Sequence, residues 1–425
     1  MANVFASLTQ KQTFMDGVQA ELRDSLPMEY VSDINTEDTE YIYNRYGSDI
    51  SAQSTPNATY RRNASFSYDK DSFLIDQEAT APDVITYREL TREGFDLVAD
   101  RTDRHAEALR EAVHDHAFHT TRLGAGSTLD NEVLAGSASA GTPITMSSSN
   151  PDDVASMVNQ ILQQQNAFGG GNPYVMMSPK QARFFNLFSM GAGFSVADKA
   201  LTSGYFTVGG GTRVIRGASA FNGLDVVVTN RVQKSVVLTF ADETDEGDTI
   251  VITVGGGAVT LTCDASPDGA GDYDQGGAGD EEATIDAVVA LINNSDDVDA
   301  ATASTTSGLY YELSQADRTI LQDAGVRARK LTSSTMEISA FDTSLVVTET
   351  GDEVTVGTHK EHMLAGAYNS TTIALPSTGM HVDEKPLAST SSTRGTNGYE
   401  LVSTQQHDAV VWTKMAPKII DILAV

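Results

Sequence analysis

The chain has 425 residues, with 28 Lys and Arg against 58 Asp and Glu, a formal charge of −30 that argues against any nonspecific grip on DNA or anionic lipid. Its 40% hydrophobic residues supply cores for two or three domains, so this is a folded chain and not a disordered acidic tail. No apolar run reaches the roughly 18 residues of a membrane span, the opening MANVFASLTQKQTF lacks a signal-peptide pattern, and a lone Cys263 leaves neither disulfide nor Cys-based metal cluster; the expectation is a soluble, unexported protein without redox chemistry.

In chain order, Phe14, Val18 and Leu22 recur at i, i+4 and i+8 and predict a short helix over 10–26 that ends before Pro27. From Tyr41 to Tyr68 the chain is strand-prone yet polar, with Tyr41, Tyr43, Tyr60, Phe66 and Tyr68 spread among Arg, Asn and Ser around a Thr55-Pro56-Asn57 turn. Such a hairpin has little core of its own and implies support from another surface, such as a neighbouring subunit. The clearest helix runs from Asp103 to Leu123, with Ala106, Leu109, Val113 and Ala117 on one face and Gly124 as its stop.

A second helix is expected from Pro151, capped by Asn150, with Asp152 and Asp153 at the positive end of its dipole and Val154, Val158, Ile161 and Leu162 as its apolar stripe. A strand Tyr174 to Met177 and a third helix from Pro179 through Phe188 complete an α/β unit. From Phe206 to Val232 the pattern is β, including Val214-Ile215 and 224–228. Further on come a hairpin over Thr249 to Thr262, a helix from Ala283 to Asn293, and strands at Met336 to Ile338 and Ser344 to Thr348. Between His362 and Leu375 a helical turn and a strand are expected, and the closing AVVWTKMAPKIIDILAV reads as two apolar strands around Pro417.

Charge is unevenly placed. Val236 to Val356 holds 24 acidic and 4 basic residues, a net of −20, which leaves −10 for the other 304 residues. Together with Gly255-Gly256-Gly257 and the loop Asp264 to Glu282, this shift predicts an inserted domain that could fold by itself and carries a well-solvated surface. Asp272, Asp274 and Gly277 imitate the start of a calcium loop. Gly276 at the fifth position, Ala283 at the closing one and Glu282 one place early argue against it, so no metal site is assigned.

Catalytic motifs are missing: there is no phosphate loop, no GxSxG and no HExxH. His114, His116 and His119 cluster on the long helix near Glu111, but a carboxylate-bridged metal pair needs a second such motif. His114 and His116 also lie about 200° apart around the helix, which leaves only His116 and His119 able to share an ion. His359 and His362 repeat the i, i+3 spacing. The simpler reading of all five is ordinary helix or interface histidines, so the catalytic, cofactor-binding and metal assignments are none, and the chain is read as no enzyme.

The order of parts then resembles a known family. RELTREGFDLVADRTDRHAEALREAVHDHAF (88–118) resembles the lead into and body of a spine helix, PYVMMSPKQARFFNLF (173–188) a peripheral-domain strand and helix, and FNGLDVVVTNRV (221–232) with GYELVSTQQHDAVVWTKMAPKIIDILAV (398–425) the axial-domain and closing strands. These are similar to the major capsid proteins of tailed phages, the Hong Kong 97-type shell fold. The resemblance implies an α+β chain divided as follows: 1–40 an N-terminal arm; 41–80 an extended hairpin loop; 81–205 a peripheral domain with spine helix 103–123; 206–235 and 357–425 an axial domain; and 236–356 an acidic, β-rich insertion. It implies a structural protein of the virion that self-assembles into pentamers and hexamers of an icosahedral head in the host cytoplasm. Its partners would be copies of itself, a scaffolding protein, the portal and a decoration protein, and it would enclose DNA without sequence-specific binding, with no cofactor and no membrane.

An arm of about 40 residues is short for a fused scaffolding segment, and Lys70 is the only lysine near the hairpin, which argues against covalent cross-linking. An acidic wall would let packaged DNA slide in without sticking. Two rivals stay open at this stage: an encapsulin-like nanocompartment shell of the same fold, and a calcium-binding surface or adhesion protein.

Overall fold

Along Gln77–Thr86 and Gly398–Val411 alternate residues turn inward, Ala79, Ala81 and Ile85 on one run and Leu401, Ser403, Gln405 and His407 on the other. In the computed structural model these runs pair antiparallel from Thr86 opposite Gly398 to Gln77 opposite His407, the period-2 solution for a half-buried sheet. The structure describes residues 18, 27–36, 40–46, 68–86, 97–135, 141–147, 150–170, 173–191, 205–207, 213–218, 224–241, 244–274, 281–293, 302–304, 309–342, 344–386 and 398–425. The helix expected over 10–26, apart from Val18, and the turn at Thr55-Pro56-Asn57 lie outside them.

The chain divides into two compact units. The first comprises Met1–Asp24, Asp33–Val113 and Thr372–Val410, and the second Ser25–Ser32, His114–Thr371 and Val411–Val425. In the first, Gly398–Val411 also pairs with Met380–Pro386 over seven registers, within a five-stranded sheet. Arg101 donates to Asp83 at 2.8 Å, tying the first turns of the long helix to the Gln77–Thr86 strand. The expected hairpin is present as Glu40–Tyr46 against Tyr68–Leu74, in register from Glu40 opposite Leu74 to Tyr46 opposite Tyr68. Lys70 stands opposite Asn44.

The long helix spans Leu97–Leu123, beginning six residues before the expected Asp103. Just past its end, a Cβ at Gly124 would lie 2.6 Å from Val411 Cβ, so glycine is what lets the chain come this close to the Val411 side chain.

The second unit is built on an eleven-stranded sheet. Its main path runs Arg327–Thr332, Thr335–Ala340, Lys234–Phe240, Lys360–Gly366, Tyr174–Met177, Leu224–Val228, Arg213–Ala218, Tyr205–Thr207, and Ile419–Ala424 pairs alongside Lys360–Gly366. Tyr174–Met177, Leu224–Val228 and Ile419–Ala424 are buried at every position, which explains why they read as largely apolar runs, broken only by the buried Asp225 and Asp421. The helices Pro151–Gln164 and Pro179–Gly191 follow the expected plan, and Val154, Val158 and Leu162 enter the core.

Two local expectations fail. Asn150 makes no side-chain cap; its Oδ1 accepts from Ser147 N at 2.9 Å, so the loop before the helix takes the acceptor meant for the helix end. The helical turn expected after His362 is strand, because Lys360–Gly366 pairs with Ile419–Ala424, Tyr174–Met177 and Lys234–Phe240, and tertiary pairing overrides the helix-compatible run His-Met-Leu-Ala.

Residues 236–356 have a core of their own, with Phe240, Ile252, Leu261, Tyr273 and Val288 among its buried members. A six-stranded sheet contains the expected hairpin, Thr249–Val254 with Gly257–Asp264, turned through Gly255 and Gly256 at φ +59° and +80°, where glycine is needed. The helix Glu281–Asn293 lies in the same core. Yet Lys234–Phe240 pairs with Thr335–Ala340 on one edge and with Val354–Val356 and the start of Lys360–Gly366 on the other. The acidic stretch therefore shares the eleven-stranded sheet, and the point where the charge shifts, Val236, falls inside a strand.

Candidate functional site

On the last turns of the long helix His114, Asp115, Phe118, His119 and Arg122 fall on one side, at spacings of one, four, five and eight residues. Three period-2 sets face them. Arg231, Gln233 and Ser235 alternate along one segment, and Arg327 and Arg329 stand in antiparallel register with Ser339 and Glu337. The result is a buried polar seam inside the second unit.

Arg122 grips Glu337 with both arms, Nη1 to Oε1 at 2.9 Å and Nη2 to Oε2 at 3.0 Å, and Arg329 Nε adds a third bond to Oε2 at 2.6 Å. Burial alone would push the Glu337 carboxyl up, but Arg122 and Arg329 hold it well below the carboxylate range. Arg122 Nη1 also donates to His362 Nε2 at 2.8 Å, which assigns the ring proton to Nδ1, and Nδ1 donates to Asp421 at 2.9 Å. Asp115 takes Arg231 Nε at 3.0 Å and Nη2 at 2.5 Å. Burial pushes Asp115 up to about 6 against the pull of Arg231 and Arg327.

His114 donates from Nε2 to the Arg231 carbonyl at 3.0 Å, with its ring between Phe118 and Phe341. Burial brings it down to about 4. His119 Nδ1 lies 3.0 Å from Gln233 Nε2 and 3.3 Å from Gln233 Oε1, and Gln233 Nε2 reaches Ser339 Oγ at 2.9 Å. Burial first, then Arg122, Arg327 and Arg329, bring His119 down to about 3.

Ser235 Oγ lies 2.8 Å from His362 Nε2, so Ser235, His362 and Asp421 stand in the order of a nucleophile, a base and its orienting carboxylate. Two facts deprive this trio of nucleophilic chemistry. Ser235 is 0% exposed, and the Nε2 lone pair that would take its proton already accepts from Arg122. What the arrangement can do is hold the helix, the strands Lys234–Phe240 and Thr335–Ala340, and the closing strand Ile419–Ala424 in one register.

The histidines singled out by spacing thus have separate duties. His114 is buried and His116 only half-buried, as their angular separation requires. His359 Nε2 accepts from Val347 N at 3.0 Å, whereas His362 belongs to the seam. Asp272 and Asp274 lie on a strand paired in parallel with Gly257–Asp264, and residues 275–280 of the candidate loop lie outside the described residues. Among the described residues the one trio of metal-ligating type is Asp264, Asp268 and Asp272. Asp264 accepts from Ser266 N at 2.8 Å and Asp272 from Gly269 N at 2.7 Å, so two of the three brace their own turn. Cys263 is buried, and desolvation pushes its thiol up to about 11. No helix among the described residues is long and apolar enough to cross a membrane.

No protein-family model and no curated protein matches the sequence. Solved structures similar to it include the capsid of the cyanophage P-SCSP1u, at 8% identity over 95% of this chain and 89% of that one with a TM-score of 0.42. A virus-like particle from Pyrococcus furiosus is 8% identical over 98% of this chain and 100% of that one, at a TM-score of 0.41. The capsid of a native GTA particle is 11% identical over 100% and 93%, at 0.35.

Proposed function

We propose that this chain is the major capsid protein of a tailed double-stranded DNA phage, a Hong Kong 97-type shell protein that assembles into the pentamers and hexamers of an icosahedral head. In this reading 1–40 is the arm, 41–80 the extended loop that reaches neighbouring copies, 81–205 the peripheral domain, 206–235 and 357–425 the axial domain, and 236–356 an insertion on the outer surface. Scaffolding protein, portal and a decoration protein would be its partners, and assembly would take place in the host cytoplasm. No catalytic, cofactor or metal residue is part of it.

One observation carries the reading. Glu40–Tyr46 and Tyr68–Leu74 form a two-stranded ribbon of seven registers that no third strand joins among the described residues. An isolated ribbon is marginal in water. In a lattice the same ribbon lies on an adjacent subunit, and many modest contacts add up while each stays weak enough to rearrange. The charge of −30 suits a container, since a wall that repels DNA phosphates encloses the genome without binding it.

The test replaces residues 41–73 with a short Gly/Ser linker. The expected variant melts as the parent does but forms no high-mass species by light scattering. Assembly that survives the replacement would overturn the assignment.

A further inference from the structure

The helix face from His114 to Arg122 presents two histidines to a seam crowded with cations. Facing His119 are Arg122 on its own helix, Arg327 and Arg329 on one strand, Ser339 and Glu337 on the next, and Gln233. Facing His114 are the Arg231 carbonyl and guanidinium, Phe118 and Phe341. The carboxylates of the seam are already engaged, Asp115 by Arg231, Glu337 by Arg122 and Arg329, and Asp421 by His362. Among the described residues neither His114 nor His119 has a hydrogen bond to any of the three; His114 is 1% exposed, and burial and the neighbouring guanidinium groups favour a neutral ring at both positions.

We propose that this seam is an acid-released latch: protons taken up by His114 and His119 add two positive charges to a site already holding Arg122, Arg231, Arg327 and Arg329, and the strands Arg327–Thr332 and Thr335–Ala340 lift off the helix. The inference does not depend on the shell assignment.

The direction follows from linkage. Both histidines titrate lower in the closed seam, near 4 and 3, than the ordinary 6.5 they regain on opening, so their contribution is complete above pH 6.5 and is lost as pH falls. At pH 5 each favours opening by about 30-fold. Asp115 works the other way, because it is raised to about 6 when closed, and it opposes opening by about tenfold at pH 5. Glu337 is held low and changes little until the pH nears the ordinary 4.5. The net expectation is about 100-fold easier opening at pH 5 than at pH 7.5.

Hydrogen exchange of the full chain, normalised to intrinsic rates at each pH, reads this directly. Amides of 327–340 should lose about 100-fold protection between pH 7.5 and 5, whereas the hairpin 249–264 changes far less. A variant carrying His114→Gln and His119→Asn keeps a donor near the Nε2 position and an amide near the Nδ1 position, and takes no charge. In it the loss should vanish or reverse, since the proton uptake by the two histidines is gone while Asp115 still opposes opening. An undiminished loss in the double variant, or no loss in the wild type, overturns the latch. Should the variant fail to fold, the wild-type imidazole resonances decide: neither His114 nor His119 should titrate above pH 5, and a midpoint near 6.5 for either would refute the proposal.

Discussion

Arg122 is the residue on which three parts of the second unit converge, and its removal makes a demanding test of the seam. Replacing it by Met keeps the length of the side chain but strips Glu337 of two bonds, at 2.9 and 3.0 Å, and leaves His362 Nε2 without its donor at 2.8 Å. Glu337 would retain only Arg329, which is 42% exposed and so holds it under partial screening. Breaking one side of a buried pair costs about 3–5 kcal/mol, because the remaining charge is left without full compensation. The converse change, Glu337→Leu, leaves Arg122 with His362 alone and should cost a similar amount. The double variant removes both charges together, and apolar replacement of a buried pair is often near neutral. The coupling energy is therefore expected to reach at least about 2 kcal/mol, read as melting temperatures of the two single variants, the double variant and the parent. For a unit of this size 1 kcal/mol corresponds to about 2–4 °C, so each single variant should melt roughly 6–20 °C lower and the double variant much closer to the parent. Additive losses, with coupling below about 0.5 kcal/mol, would refute the idea that this pair clamps the acidic stretch to the helix.

Other outcomes follow from single positions. Gly124→Ala places a Cβ 2.6 Å from Val411 Cβ, and the overpacking should cost about 1–3 kcal/mol, visible as a lower melting temperature. An unchanged melting point would mean that the helix end and the Val411 side chain are not held together. Ser235 should resist a fluorophosphonate probe in the native protein, since it is 0% exposed and its histidine lone pair is taken by Arg122. A covalent adduct at Ser235, mapped by mass spectrometry, would reopen the question of catalysis.

The parts of the fold that were legible in the sequence are those in which local pattern and tertiary burial agree. The long helix, the strand Tyr174–Met177 and the hairpin Thr249–Val254 with Gly257–Asp264 carry their own periodicity and glycine signals. Lys234–Phe240 is not legible because the shift in charge points to a boundary at Val236, inside the strand. Charge reports solvated surface, whereas KSVVLTF is an apolar strand whose pairing crosses that line. The helix Gln315–Asp323 did have a readable start in Ser314 and Asp317, where the Ser314 hydroxyl caps the Asp317 N–H at 3.2 Å.

The pairings of the seam were not legible, although three of its histidines stood out by spacing. Arg122 with Glu337 spans 215 residues, Arg122 with His362 spans 240 and His119 with Gln233 spans 114, so no local spacing announces them. A hint lay in the composition of 236–356, where only four basic residues occur. Arg329 turns to Glu337, Arg318 to Glu312, Lys330 to Glu282 and Asp286, and Arg327 lies within the field of Asp115. In so acidic a segment each rare cation has a definite electrostatic partner.

Negative-stain microscopy of the purified full chain, across a series of salt and protein concentrations, bears most directly on the claim that this molecule is built to tile. Closed particles of uniform diameter, or at minimum rings of five and six copies, are the result expected. A single-copy species that persists through the whole series would contradict it.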